Sequence, residues 1–104
     1  MSYTPSRTPA ISNVTLTGAN TEYSHTLAAN CRNFSIKARG TSNAARVAFT
    51  SGVVASPSGA YLTVEAGQTW LSPPNLVGDG TTLYFASANA GAVVEILEWT
   101  NQPA

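Results

Sequence analysis

The side chains best suited to chemistry in this sequence of 104 residues are a single histidine and a single cysteine. Histidine is the only side chain that ordinarily gains or loses a proton near neutral pH, so His25 is the first candidate for a general base. Cys31 would be its nucleophile, because catalytic partners are neighbours in space rather than in sequence. No activating motif surrounds Cys31, and a lone cysteine usually packs as a small hydrophobic residue. We therefore predict no catalytic residues and no enzyme, although a His–Cys pair formed by the fold stays open at this point.

The carboxylates are too scattered to suggest a hydrolytic pair or a metal cage. Glu95 and Glu98 point to opposite faces of a strand, because their spacing is odd. Asp79 lies between two glycines, which is typical of a turn, and it lacks the further acidic ligands of a calcium loop. One cysteine and one histidine cannot assemble a zinc site. We therefore predict no metal and no cofactor.

The charged residues are few and balanced, which excludes several classes of partner. Only 10% of the residues are charged, five basic against five acidic, whereas soluble proteins average about 25%. So few dispersed basic residues argue against a protein that binds nucleic acid by neutralising phosphates. No apolar run approaches the ~20 residues that span a bilayer, and no basic segment followed by an apolar one begins the chain. We expect a soluble protein, not secreted by the usual signal, with no nucleic-acid or membrane partner.

The charges are segregated along the chain. Residues 1–52 contain all the basic residues and one acid, Glu22, whereas residues 53–104 contain the other four acids and no basic residue. Either strands from the two halves lie side by side, so that the charges meet within one domain, or basic and acidic patches meet between copies or on another surface.

The elements that position these residues are predicted to be β-strands in a single domain. Short segments rich in β-branched and aromatic residues are separated by Gly, Asn, Pro or Ser every 8–12 residues, which is the spacing of a β-sandwich or barrel. The fold class expected is an antiparallel β-sandwich, jelly-roll or Greek-key like, without helices. A tight turn over residues 88–91 predicts a hairpin between the last two strands. The predicted strands are 13–17, 22–28, 33–39, 46–50, 61–64, 69–71, 81–87 and 92–100.

Alternation within the strands predicts the core. The clearest strand directs Phe34, Ile36 and Ala38 inward. By the same pattern Val47 and Phe49 face inward from the fourth strand, as do Leu62 and Val64 from the fifth, and Leu83 and Phe85 share one face of the seventh.

Both faces of the last strand are apolar, which predicts that both are covered. Val94 and Ile96 share a face with Glu98, whereas Leu97 and Trp99 share the other face with Glu95. One face then belongs to the core. The face with Trp99 is expected to lie against a second chain.

The N-terminal segment is predicted to be an extended, unpaired arm over residues 1–12, since prolines disfavour helices and central strands. The sandwich domain then spans residues 13–101 and a tail spans 102–104. The candidate interface residues are Tyr3, Pro5, Arg7, Pro9, Trp70 and Trp99.

Three segments resemble small structural proteins of tailed bacteriophages: residues 23–40 (YSHTLAANCRNFSIKARG), residues 61–70 (YLTVEAGQTW), and residues 83–87 (LYFAS) with 94–99 (VEILEW). The resemblance implies a β-rich virion component of the capsid decoration, or cement, type. Such proteins often act as dimers or trimers that bridge capsid subunits, with arms contributing contacts, and they have no catalytic signature. The implied partner is the major capsid protein, and the implied location is the outer capsid surface of a virion assembled in the bacterial cytoplasm.

Two further roles stay open. One is a head-completion or tail component of the virion. The other is a carbohydrate-binding module that stacks sugars on aromatic side chains, although core or interface packing competes for the same residues. The aromatic candidates are Trp70, Trp99, Tyr3, Tyr23, Tyr61 and Tyr84.

Overall fold

A computed structural model describes residues 6–29, 31–72 and 80–102 of the chain. These residues form eight β-strands and no helix, which confirms the predicted all-β class. All pairings between the strands are antiparallel. The strands are β1 (Ser6–Leu16), β2 (Tyr23–Thr26), β3 (Cys31–Ala38), β4 (Ala45–Ala48), β5 (Leu62–Val64), β6 (Thr69–Leu71), β7 (Thr82–Ala86) and β8 (Ala92–Gln102).

The strands form two four-stranded sheets, as expected for a β-sandwich. The first sheet has the order β1-β8-β3-β6, and the second has the order β2-β7-β4-β5. The expected hairpin between the last two strands is wrong, because β7 belongs to the second sheet and β8 to the first. Gly91 lies in the left-handed region, with φ 85°, at the turn that carries the chain across.

The core lies between the sheets and is built from the inward side of each strand. Phe34, Ile36 and Ala38 are buried as the alternation predicts. A second, smaller cluster covers the far side of the second sheet, where Val54 of a loop packs with Ala48 and Ala86. The main core consists of Leu16, Leu27, Cys31, Phe34, Ile36, Ala38, Ala45, Val47, Val64, Leu83, Phe85, Ala92, Val94 and Ile96.

The N-terminal segment differs from the expected unpaired arm. From Ser6 onward it forms the first part of β1, which pairs with β8 without interruption from Ser6 opposite Gln102 to Leu16 opposite Ala92. Pro9 is compatible with this pairing because β1 is an edge strand, where one missing backbone donor can face away from the sheet. The extended conformation was predictable, but the pairing was not.

Two side chains predicted to face inward are exposed instead. Phe49 is 51% exposed because β4 ends at Ala48, so the alternation that buries Val47 does not continue through the turn. Leu62 is 43% exposed on β5, a strand of only three residues at the edge of the second sheet.

Candidate protein–protein interface

The first sheet turns one side away from the core, and we call this side the outer face. Its residues alternate with the buried residues of β1, β8, β3 and β6. Strand register places Ile11 opposite Leu97, Leu97 opposite Ser35, and Ser35 opposite Leu71. Directly opposite residues of antiparallel strands lie on the same face. A mainly apolar row therefore crosses all four strands.

The row ends in two strongly exposed side chains. Ile11 is 73% exposed on β1 and Leu71 is 70% exposed on β6, with Leu97 half-buried between them. Trp99 lies in the next row, opposite Pro9. Contiguous exposed apolar residues are typical of sites where another molecule binds, whereas isolated ones are common on any protein surface. The outer face is therefore the best candidate interface among the described residues.

Charged side chains border the apolar row on its other side. Glu95 lies opposite Lys37, and the Nε–H of Arg39 donates a hydrogen bond to the Oε2 of Glu95 at 2.6 Å. This pair joins a basic residue from the first half of the chain to an acidic residue from the second, the first of the two arrangements predicted. Because both side chains are partly solvated, the contact contributes at most about 1 kcal/mol.

The two tryptophans predicted as interface anchors lie on opposite sides of the first sheet. Trp99 is half-buried on the outer face. Trp70 packs on the core side, where its ring centroid lies 5.5 Å from that of Phe34 at an interplanar angle of 47°. Trp99 thus lies on the side of the sheet that faces away from the core, whereas Trp70 completes the edge of the core.

The N-terminal interface candidates are only partly described. Pro9 is exposed on β1, next to Trp99 across the strand pair. The backbone of Arg7 pairs with Asn101. Tyr3 and Pro5 lie outside the described residues.

Sequence reasoning missed Ile11 and Leu71. A signal for Leu71 was available, because adjacent strand residues point to opposite faces and Trp70 is the more natural core residue. Ile11 was hidden within the segment predicted to be an unpaired arm.

A polar contact between the two sheets accounts for the only histidine. The Nε2 of His25 on β2 lies 2.8 Å from the Oε2 of Glu98 on β8, and the backbone N–H of Ala28 donates to Glu98 Oε1 at 2.8 Å. Glu98 is only 5% exposed. Both oxygens of this buried carboxylate therefore have a hydrogen-bond partner, and the contact fixes β2 against β8.

Cys31 is buried at the same end of the sandwich, opposite Thr100 of β8. Burial raises the pKa of its thiol, and the nearby charge of Glu98 raises it further. The thiol donates weakly to the carbonyl of Asn33 at 3.4 Å. At neutral pH it is therefore protonated and shielded, which is unfavourable for a nucleophile.

We expect Cys31 to be inert toward a thiol reagent such as DTNB while the chain is folded. The reaction should be slower than in urea by roughly a thousandfold, because it requires opening of a structure stable by several kcal/mol. Stopped-flow absorbance with and without urea measures the ratio. Similar rates in both conditions would show that Cys31 is accessible and contradict its burial.

Glu22 and Arg46 make polar contacts that hold loops together. Glu22 accepts hydrogen bonds from the Ser51 hydroxyl and the Gly52 N–H, and Arg46 donates to the Val54 carbonyl and the Asn20 side chain. Within the described ranges, no three His, Cys, Asp or Glu side chains are grouped closely enough to hold a metal ion. Asp79 lies outside those ranges.

Comparisons with protein-family models, with curated proteins and with solved structures found no match. The residues that the structure describes contain no helix long and apolar enough to cross a membrane.

Proposed function

We propose that this chain is a non-enzymatic structural protein of a tailed-phage virion, a decoration or cement protein that binds the outside of the assembled capsid and stabilises it. The observation that carries the proposal is the outer face, where Ile11 and Leu71 project into solvent beside Leu97 and Trp99. Together with a surface of low charge, this face suits a protein that works while packed against other chains.

The finer fold that we propose is a jelly roll. The support is the strand order, because β1-β8-β3-β6 facing β2-β7-β4-β5 is what eight strands give when two Greek keys are folded over each other. Jelly rolls occur in viral capsid proteins and lectins, which is compatible with a virion role. A fold alone does not assign a function, so the outer face remains the main support.

The proposed mechanism is multivalent attachment to the major capsid protein. A homodimer or homotrimer that contacts several capsid subunits at once gains avidity from effective concentration, even when each contact is weak. The outer face provides each contact with an apolar centre and a charged border of Lys37, Arg39 and Glu95. These border charges contribute more to the orientation in which the protein binds the capsid than to its affinity for the capsid.

The carbohydrate-binding alternative receives less support from the placement of the aromatic side chains. Trp70 lies on the core side, and the Tyr23 hydroxyl accepts a hydrogen bond from the Gly18 N–H. Tyr61 and Tyr84 belong to the second sheet's side of the molecule. Among the described aromatic candidates, Trp99 alone lies on the outer face. A single ring does not form a platform on which several sugars could stack.

The experiment adds purified protein to capsids assembled without it and counts bound copies by cryo-electron microscopy. Hundreds of copies distributed over the shell support decoration, whereas a single ring at one vertex would instead support head completion or a tail role. Absence of shell binding together with glycan-array binding would support the carbohydrate alternative.

Leu71→Ser tests the outer face directly. We expect capsid affinity to fall about tenfold or more, because a well-packed apolar contact in an interface carries roughly 1–2 kcal/mol. The matched control is Leu62→Ser, another exposed edge-strand leucine but on the second sheet, which should bind normally. Equal effects of both substitutions would remove the outer face as the binding surface.

A further inference from the structure

β1 is the one long sheet edge in the described part of the chain. The sheets end in β1 and β6 and in β2 and β5. β1 has 11 residues, whereas β2 has four and β5 and β6 have three each. Short edges offer too few backbone groups to pair with another chain, but a long edge is a template for a further strand.

Alternate residues of β1 direct their backbone groups to the free edge. The carbonyl of Leu16 accepts from the Gly91 N–H at 2.8 Å, on the side of β8, and Pro9 has no N–H to donate to β8. An antiparallel strand directs the N–H and C=O of every second residue to the same side. The odd-numbered residues Ile11, Asn13 and Thr15 therefore present a donor and an acceptor each to the free edge.

From Ala10 onward this edge lacks the usual features that prevent association, whereas its first part contains Arg7 and Pro9. Proteins protect edge strands with charged side chains, prolines or bulges. Residues 10–17 (AISNVTLT) contain no charge and no proline, and the register of β1 with β8 has no bulge. No described strand other than β8 pairs with β1.

We propose that a second copy of this chain pairs with β1, antiparallel and edge to edge, about a two-fold axis at Asn13. Asn13 then lies opposite its own copy, and Ile11 lies opposite Thr15 in both directions. These three pairs of residues exchange about six hydrogen bonds. The absence of charge favours a second copy as the occupant, because a charged strand that meets its own copy across a two-fold axis brings like charges together.

The pairing joins the first sheets of two copies into one sheet of eight strands and makes their outer faces continuous. The inference deepens the proposed function and rests on its homo-oligomer. It selects a dimer over a trimer, because a two-fold interface that uses the same strand on both copies is closed at two. Each dimer then carries two adjoining outer faces for a multivalent contact.

The test measures the molar mass of the purified full chain by light scattering and sedimentation at micromolar concentration. We expect the mass of a dimer for the natural sequence and of a monomer for both Asn13→Lys and Asn13→Glu, since each variant brings like charges together at the axis. An equimolar mixture of the two variants should recover the dimer, because opposite charges then face each other. Ser24→Lys is the matched control and should stay dimeric: it adds the same charge to an exposed position on β2, an edge of the second sheet.

Three results would each overturn the pairing: a monomeric or trimeric natural chain, an Asn13→Lys variant that remains dimeric, or a mixture that stays monomeric. Circular dichroism confirms that each variant is folded. The mass is measured without capsids, so a failed pairing and a failed capsid-binding function are separate outcomes.

Discussion

Replacing Phe85 by alanine is expected to lower the free energy of unfolding by about 3–5 kcal/mol. Phe85 is fully buried on β7, among the largest side chains of the main core. Its truncation removes apolar contacts and leaves a cavity that the two sheets cannot close without moving. Domains of this size have only about 5–15 kcal/mol of net stability. Thermal unfolding followed by circular dichroism should therefore show a Tm lower by roughly 12 °C or more.

The control for this prediction is Phe49→Ala. Phe49 is 51% exposed and lies just beyond the end of β4, so its truncation should change stability by no more than about 0.5 kcal/mol. Urea unfolding of both variants, analysed with one common m-value, gives the two changes in the free energy of unfolding. A loss for Phe49→Ala as large as that for Phe85→Ala would mean that the end of β4 and its turn are packed differently from the structure.

These two phenylalanines show how far alternation can be used. Each follows an apolar residue by two positions, Val47 in one case and Leu83 in the other, so alternation predicts that each lies on the same face as that residue. Periodicity is reliable within a strand, but the residue at which a strand ends depends on pairing with its neighbours. β4 pairs with β5 and β7 only as far as Ala48.

Strand existence was predicted far better than strand pairing. Each of the eight predicted segments overlaps one strand of the structure, although β1 begins at Ser6 and not at residue 13, because β-branched residues and turn residues act locally. Pairing depends on residues distant in sequence, and a turn such as residues 88–91 does not reveal whether the chain folds back on its own sheet or crosses to the other. The edge position of β1 and the crossing between β7 and β8 therefore became visible only in three dimensions.

The candidate interface was predictable in part for the same reason. The face shared by Leu97 and Trp99 follows from alternation within β8 alone. The contributions of Ile11 and Leu71 require the registers of β1 with β8 and of β3 with β6. The contact between His25 and Glu98 joins residues 73 positions apart on different sheets, and no local pattern indicates it.

His25→Ala is expected to cost about 2–3 kcal/mol of stability, the second largest effect. The substitution removes the partner of Glu98 Oε2 and leaves a carboxylate oxygen in a site that is 5% exposed. Breaking a buried pair by deleting one member costs about 3–5 kcal/mol. The value here lies below that range because the His25 side chain is itself 19% exposed, so water can partly replace it.

Arg39→Ala is the matched control at another glutamate of β8. It also deletes the basic partner of a glutamate on β8, but the Arg39–Glu95 contact lies on the outer face with side chains 51% and 30% exposed. We expect a loss within about 0–1 kcal/mol, measured by urea unfolding at neutral pH. If Arg39→Ala and His25→Ala lower the free energy of unfolding by the same amount, the burial of Glu98 does not explain the contribution of the His25 contact.

The decisive measurement is a double-mutant cycle with Glu98→Gln. Glutamine keeps a carbonyl oxygen for the Ala28 N–H but carries no charge, so Glu98→Gln alone should be milder than His25→Ala. Once glutamine replaces the carboxylate by a neutral amide, removal of the imidazole no longer leaves a buried charge without a partner. The double variant should therefore lose less stability than the sum of the two single losses. The difference should be about 1–2 kcal/mol, within the range measured for directly contacting residues. Strict additivity would contradict a direct contact between the sheets at this point, because it would mean that His25 stabilises the fold through its packing alone.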